Sequence, residues 1–385
     1  MKIVKKIKIQ VDELLFYCGL MPLLAQYMFS VTSDRGIKIS GTVDTILLLL
    51  GLFFWGIVIF KKNSLKDFLI KVLIFSFLMV NQQMADTSLS LITFMMIFAS
   101  EGIPYEKIIK FMFVPFATLL TYCITFYGYN MAMGKAVVTK YRTIDGVSTA
   151  RHGFYFNQPN SFSLVLFFTV MMFTYLYYNK IKKWIIYLVM VVTSIFIYIY
   201  PNTKTVSFMF FFLILVDWVG THHWDKIPKF LKNHATVIIF VLNILIVMVY
   251  RAQPGNKILR EIDDLFTWRL RACVSAYDTY GISILGQSSK QSLMGYNYMC
   301  IDNVYWALII NYGVIVAFMY FYPLAQVIWD NEKYKKEWLC VLAMLLYGFT
   351  ECVICPLYAF PVLFARDYLV RGKKKKHYEQ KISCT

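Results

Sequence analysis

Apolar residues fill this chain in long continuous runs, separated by short polar stretches in which Lys and Asn recur. Continuous runs close to the roughly 20 residues a helix needs to cross a bilayer predict transmembrane helices, and the lack of strict alternation excludes a membrane β-barrel. Twelve spans are predicted, at 14–31, 41–60, 68–81, 88–100, 111–127, 161–178, 184–200, 204–220, 235–250, 303–322, 338–350 and 356–370. The third, fourth and eleventh are short for a crossing. The expected fold class is thus an all-α polytopic membrane protein, with residues 1–385 forming one integral membrane domain.

Composition agrees with this pattern. Of 385 residues, 59% are hydrophobic and only 16% charged, whereas a soluble globule carries about a quarter charged residues. The formal net charge of +17 raises nucleic acid as a partner, but the positions of the charges argue against it. Of the 39 Lys and Arg, 23 lie in the N-terminal tail, in the connections at 61–66, 107–110, 180–183, 226–232 and 333–336, and in the tail at 371–376. These alternate with acidic or neutral connections. Such alternation is the positive-inside pattern, and it puts both termini and the basic tail 371–385 in the cytoplasm. The first apolar run lacks a small-x-small cleavage site and reads as a span rather than a removable signal.

Two connections on the opposite, extracytoplasmic side are long: 128–160 and 251–302. Loops of this length usually carry function. Together they hold ten cations: Lys135, Lys140, Arg142, Arg151, Arg251, Lys257, Arg260, Arg269, Arg271 and Lys290. Arg stands beside Tyr, Trp and His, and its planar fork clamps phosphate where Lys offers a point charge. A phosphate at the outer leaflet is the ligand this predicts.

Four stretches are expected on that outer face. The first, 142–160, carries Arg142, Arg151 and His152 and ends in Gln158-Pro159-Asn160, where Asn160 reads as a cap for the next helix. The second is the turn at 200–207, which delivers Lys204 to the mouth of a span. In the third, 266–277, helical spacing puts Trp268, Arg271 and Ser275 on one face and Arg269, Ala272 and Ala276 on the next. The last brings Asp302-Asn303 and Glu351, carboxylates in apolar surroundings and therefore candidates for a base or an Arg partner. Asp263-Asp264 and His222-His223 read as solvent-facing. Cys273 and Cys300 share a side and are able to pair, whereas Cys352 and Cys355 read as packing residues. The sequence holds no Gly-rich phosphate loop, zinc-binding His-Glu set or Asp-x-Asp pair, so the expected chemistry uses neither metal nor cofactor.

Taken in order, the segments 151–160 (RHGFYFNQPN), 201–205 (PNTKT), 268–271 (WRLR), 276–286 (AYDTYGISILG), 301–305 (IDNVY) and 311–313 (NYG) resemble the Wzy-type O-antigen and capsular or exopolysaccharide polymerases. The resemblance covers roughly the second half of the chain. It implies a fold like that of C-type glycosyltransferases in the bacterial cytoplasmic membrane, with undecaprenyl-pyrophosphate-linked oligosaccharides as donor and acceptor and no cofactor. A chain-length regulator and a flippase are the implied protein partners. Arg151 and Arg269 match the two external-loop arginines of that pattern, Lys204 stands where many members have Arg, and Glu351 resembles a late carboxylate. Gln158 replaces the His that many members place before Pro-Asn, and Asp302-Asn303 stands where the related O-antigen ligases have His-Asn, which favours polymerase over ligase. A lipid-linked oligosaccharide transporter is the non-enzymatic alternative.

On this reading Arg142, Arg151, Lys204, Arg269 and Arg271 are the pyrophosphate-binding candidates. Arg151 and Arg269 are counted as catalytic, and Asp302, Glu351 and His152 are candidate bases. Tyr155, Trp268, Tyr277 and Tyr296 are candidate sugar platforms.

Overall fold

The computed structural model describes residues 2–32, 40–61, 64–135, 137, 139–144, 147–266, 268–289, 301–329, 334–352 and 359–370. They form two compact units, each assembled from two separated stretches of chain: Met1–Val58 with Gly102–Val219, and Ile59–Glu101 with Gly220–Thr385.

The first unit contains α1 (Lys2–Val31), most of α2 (Gly41–Phe60), α5 (Tyr105–Ala132), the hairpin β1 (Thr139–Ile144) and β2 (Val147–His152), α6 (Pro159–Tyr177), α7 (Lys183–Ile199) and nearly all of α8 (Lys204–His223). In the second are α3 (Leu65–Ala85), α4 (Leu89–Ala99), α9 (Lys229–Ala252), α10 (Lys257–Leu265), α11 (Arg269–Tyr280), α12 (Val304–Ala307), α13 (Val314–Trp329), α14 (Lys336–Tyr347) and α15 (Arg366–Val370).

Among the described residues, α1, α2, α3, α5, α6, α8 and α9 are long and apolar enough to cross a membrane, and α4, α7 and α13 are shorter apolar helices. Large apolar side chains such as Leu49, Phe53, Leu73, Phe208 and Phe318 are 60–72% exposed. Rows of this kind have no counterpart on a water-soluble surface; they suit lipid. The chain is a helical membrane protein. Departures from the expected spans are local. With 11 residues α4 is only about 17 Å long, and Ser90 to Ala99 are all buried. The apolar run that suggested a span there is a core helix.

In the first unit α6 is the central helix, with 14 of its 19 residues buried. Trp55 on α2 is fully buried against α1 and its indole N–H donates to the Phe16 carbonyl at 3.0 Å. On α7 and α8, Ser194 and Ser207 each donate a hydroxyl to the other's carbonyl, at 2.9 and 3.0 Å. Small hydroxyl residues let the two backbones approach and satisfy each other away from water.

A second departure lies in 128–160, expected as one long connection between spans. Helix α5 runs on to Ala132, and β1 pairs antiparallel with β2, Lys140 opposite Arg151 and Arg142 opposite Thr149. The Asp145-Gly146 pair between two stretches rich in β-branched residues is the sequence signal for this hairpin.

A third departure is the tenth expected span, 303–322. It is interrupted: α12 runs into a π-helical turn (Leu308–Tyr312), Gly313 follows at φ 87°, and α13 then starts. A break frees backbone groups that cost several kcal/mol each if left unpaired away from water. The strip 281–287 pairs with them. Ser283 N–H donates to the Ile309 carbonyl at 3.1 Å, Gln287 N–H to Asn311 at 2.9 Å, and Val314 N–H to Ser283 at 2.9 Å. Fully buried Asn81 on α3 donates to the carbonyls of Tyr312 and Leu285 at 2.6 and 2.7 Å and accepts from the Ser90 hydroxyl at 2.9 Å. A Cβ on Gly313 would lie 2.5 Å from the Ile284 carbonyl oxygen, and one on Gly286 would lie 2.7 Å from Asn81 Nδ2. The last expected span, 356–370, is described from Ala359 onward as a 3-10 turn (Phe360–Ala365) followed by α15.

Candidate functional sites, one in each unit

In the first unit the site is built where β2 meets the start of α6 and the turn before α8. Arg151 donates from Nε to the Pro201 carbonyl at 2.9 Å and from one Nη to Asn160 Oδ1 at 2.6 Å and Thr203 Oγ1 at 3.3 Å. The Ser163 hydroxyl also donates to Thr203 Oγ1, at 3.0 Å. Asn160 therefore does not cap α6 as expected: the helix opens at Pro159, and the Asn160 side chain serves Arg151. His152 Nδ1 lies 2.7 Å from the Tyr127 hydroxyl, and its backbone N–H donates to Tyr200 at 3.0 Å.

Lys140 and Arg151 face each other across the hairpin, and like charges placed so repel. Each has taken neutral oxygen partners, Lys140 donating to the Asn157 carbonyl. Lys140, Tyr141, Arg151 and residues 157–160 line a half-open cavity of about 290 Å³, with no carboxylate among the described residues of its walls. Lys204, the first residue of α8, is exposed and has no ion-pair partner among the described residues. A cation at a helix N-terminus is opposed by the helix dipole, so an anion there would relieve it. Arg142 lies on β1, half-buried.

Tyr155 is buried, at φ 65°, packed by Phe126 and Tyr127, and its hydroxyl accepts from Asn130 at 2.7 Å. Expected as a sugar platform, it is instead part of the packing. Apolar neighbours in 154–156 that bury on folding are the reason.

In the second unit the site is built around Arg269 at the start of α11. Only 9% exposed, Arg269 donates to Glu351 Oε1 at 2.7 Å and to the Phe266 carbonyl at 3.1 Å, and Asp302 Oδ2 is 4.0 Å away. The Glu351 side chain is 15% exposed and that of Asp302 39%. The next residue, Asn303, accepts from the N–H groups of Tyr305 and Trp306 at 3.0 and 3.2 Å and donates to the Phe349 carbonyl at 3.1 Å. That cap fixes Asp302 beside the segment carrying Glu351.

Asp263, expected to face solvent, is fully buried. Its Oδ1 accepts from the N–H groups of Leu270 and Arg271 at 2.9 and 3.3 Å, and Oδ2 lies 3.6 Å from Arg271 Nε. A carboxylate at the N-terminus of α11 meets both the dipole and the open N–H groups. Asp264 is exposed and accepts from the Trp268 indole at 2.9 Å. Arg271 lies 5.6 Å from the Trp268 ring centre, and a hydrogen bond with Tyr250 is the main cause of its raised pKa. Trp268 is 57% exposed, as a platform requires, while half-buried Tyr277 carries Arg251 over its ring at 5.3 Å.

Burial, helped by the carboxylates of Asp302 and Asp263, pushes the Cys273 thiol well above its usual range. Cys300 and Tyr296 lie outside the described residues, and with them the expected pairing with Cys273 and the fourth platform. Cys355 does too.

The sequence reading passed over Asn81, Asp217 and Arg366. Asp217 is 2% exposed and accepts from the hydroxyls of Tyr178 and Tyr187 at 2.5 and 2.7 Å, with Lys183 Nζ at 3.4 Å. Arg366, 5% exposed, donates to the Ser100 carbonyl at 2.6 Å. An ionisable or amide residue inside an apolar run is the signal that marks all three. Among the described residues no group of three or more His, Cys, Asp and Glu side chains is placed to hold a metal ion. No family model, curated protein or solved structure matches this chain.

Proposed function

We propose that this chain is a glycosyltransferase that polymerises polyprenyl-pyrophosphate-linked oligosaccharide repeats into a surface polysaccharide at the outer face of a bacterial cytoplasmic membrane. The proposal includes cytoplasmic termini and a fold like that of C-type glycosyltransferases. The observation that carries it is the second-unit centre: an arginine buried in a membrane protein, held by one carboxylate at 2.7 Å, with a second, more exposed carboxylate 4.0 Å away.

These groups divide the work. Glu351 orients Arg269, whose guanidinium faces the charge that grows on the pyrophosphate as the glycosidic bond breaks. A preorganised donor of this kind stabilises the transition state more than the ground state. Asp302, the more exposed acid, takes the proton from the acceptor hydroxyl while that oxygen bonds to the anomeric carbon and the polyprenyl pyrophosphate departs. In the first unit, exposed Lys204 offers a cation to a lipid phosphate. Arg151 is a positioning residue here, since its hydrogen bonds hold the 201–203 turn that precedes Lys204. A flippase supplying the substrate and a chain-length regulator are the partners such a reaction calls for.

Purified protein incubated with a synthetic undecaprenyl-pyrophosphate repeat unit should yield a ladder of longer lipid-linked products. Asp302→Asn should remove the ladder while leaving lipid-substrate binding. Transfer solely onto a lipid A core would replace the proposal with a ligase, and movement across vesicles without new glycosidic bonds would replace it with a transporter.

A further inference from the structure

We infer that α10 lies in the plane of the membrane and docks on the boundary between lipid headgroups and acyl chains. By helical spacing, Ile258, Leu259 and Ile262 share one face of α10, and Lys257, Arg260, Glu261 and Asp264 occupy the other. The polar four are exposed, Leu259 and Ile262 are half-buried, and Ile258 is 68% exposed. The helix thus presents protein on one side, water on a second and a bare aliphatic edge on a third.

The bilayer is the occupant because of where α10 starts. Residues 253–256 are the whole connection from α9, and four residues reach at most about 14 Å. The outer side of α9 is itself apolar and exposed, with Leu242 at 55%, Leu245 at 52% and Val249 at 46%, so α10 starts within that reach of the end of a lipid-facing helix. Lys257 and Arg260 share the polar face with Glu261 and Asp264, a charged but balanced face that suits the headgroup layer above a buried aliphatic edge.

The helix is locked before it reaches lipid. Asn256 Oδ1 accepts from the N–H groups of Ile258 and Leu259 at 3.0 and 3.3 Å, and Arg260 Nε donates to the Pro254 carbonyl at 2.9 Å. At its other end buried Asp263 caps α11, whose first residue is Arg269. Bilayer depth therefore sets the position of the α11 N-terminus through α10.

The test places a genetically encoded spin-labelled residue at position 258 or 261 in the full chain, reconstituted into vesicles of phosphatidylethanolamine and phosphatidylglycerol. Collision rates with oxygen, which concentrates in lipid, are compared with those for a water-soluble nickel complex, with position 245 as the lipid reference. The oxygen-to-nickel ratio is expected to be several-fold higher at 258 than at 261 and to approach that at 245. Equal, water-like ratios at 258 and 261 overturn the inference. An encoded fluorophore at 258 gives a second reading: quenching by lipids brominated high on the acyl chain supports docking, and quenching by aqueous iodide instead refutes it.

Discussion

Replacing Glu351 with Gln tests whether Arg269 is held as described. The substitution keeps shape and one acceptor oxygen but removes the charge 2.7 Å from a guanidinium that is 9% exposed. A hydrogen bond to a charged group contributes about 1.5 to 3 kcal/mol, and breaking a buried pair by removing one partner costs about 3 to 5 kcal/mol. Asp302 at 4.0 Å limits the loss, yet its side chain is 39% exposed and water screens it, so its share is about 1 kcal/mol or less. Glu351→Gln should therefore destabilise the protein by about 2 to 3 kcal/mol, and Glu351→Gln with Asp302→Asn by about 3 to 5 kcal/mol. The assay is chemical denaturation in mild detergent, run as a double-mutant cycle with Arg269→Gln. A coupling energy near 2 kcal/mol is expected between positions 269 and 351. Coupling below about 0.5 kcal/mol would refute the reasoning, because two groups sharing a buried hydrogen bond cannot be independent.

Asp263→Ala should open the first turn of α11, costing about 1 to 2 kcal/mol and raising hydrogen exchange at Leu270 and Arg271 above that of the rest of the helix. Gly313→Ala should prevent accumulation of folded protein, since the residue stands at φ 87° with its Cβ position 2.5 Å from a backbone oxygen; detergent-resistant monomer on size exclusion is the readout. Cys273 should favour folding fully below the ordinary thiol value of 9.0, and its contribution should fall as pH rises above that, because the unfolded thiol then ionises while the buried one stays protonated. Stability measured from pH 8 upward should drop less steeply in Cys273→Ala, the difference in slope approaching about 1.4 kcal/mol per pH unit only above the unfolded thiol value.

Much of the fold was legible from the apolar runs alone. Lipid demands helices of a minimum length, and α2, α6 and α8 begin and end within a few residues of the expected bounds. Local chemistry was legible in part: helical spacing, if 266–277 is helical, sets Arg269, Ala272 and Ala276 beside the face of Arg271 and Ser275, and α11 forms from Arg269 onward with Arg269 buried and Arg271 exposed. The hairpin at 139–152 was signalled by Asp145-Gly146 but masked by the polarity of its surroundings.

Hydropathy alone does not separate a helix buried in protein from one facing lipid, because both are apolar all round. That is why α4 and the interrupted run at 303–322 read as ordinary spans. The partner of each charge was equally out of reach. Arg269 and Glu351 are separated by 81 intervening residues, and Arg151 and Thr203 by 51, so which carboxylate or hydroxyl meets which guanidinium depends on packing far along the chain. From sequence alone came a helical membrane protein, with its long basic connections and its candidate arginines. Only the tertiary structure decided that Arg269 is clamped by Glu351 while Arg151 holds a turn. Burial strips a guanidinium of water, so its partners must come from whatever side chains and backbone carbonyls the fold brings within hydrogen-bond reach.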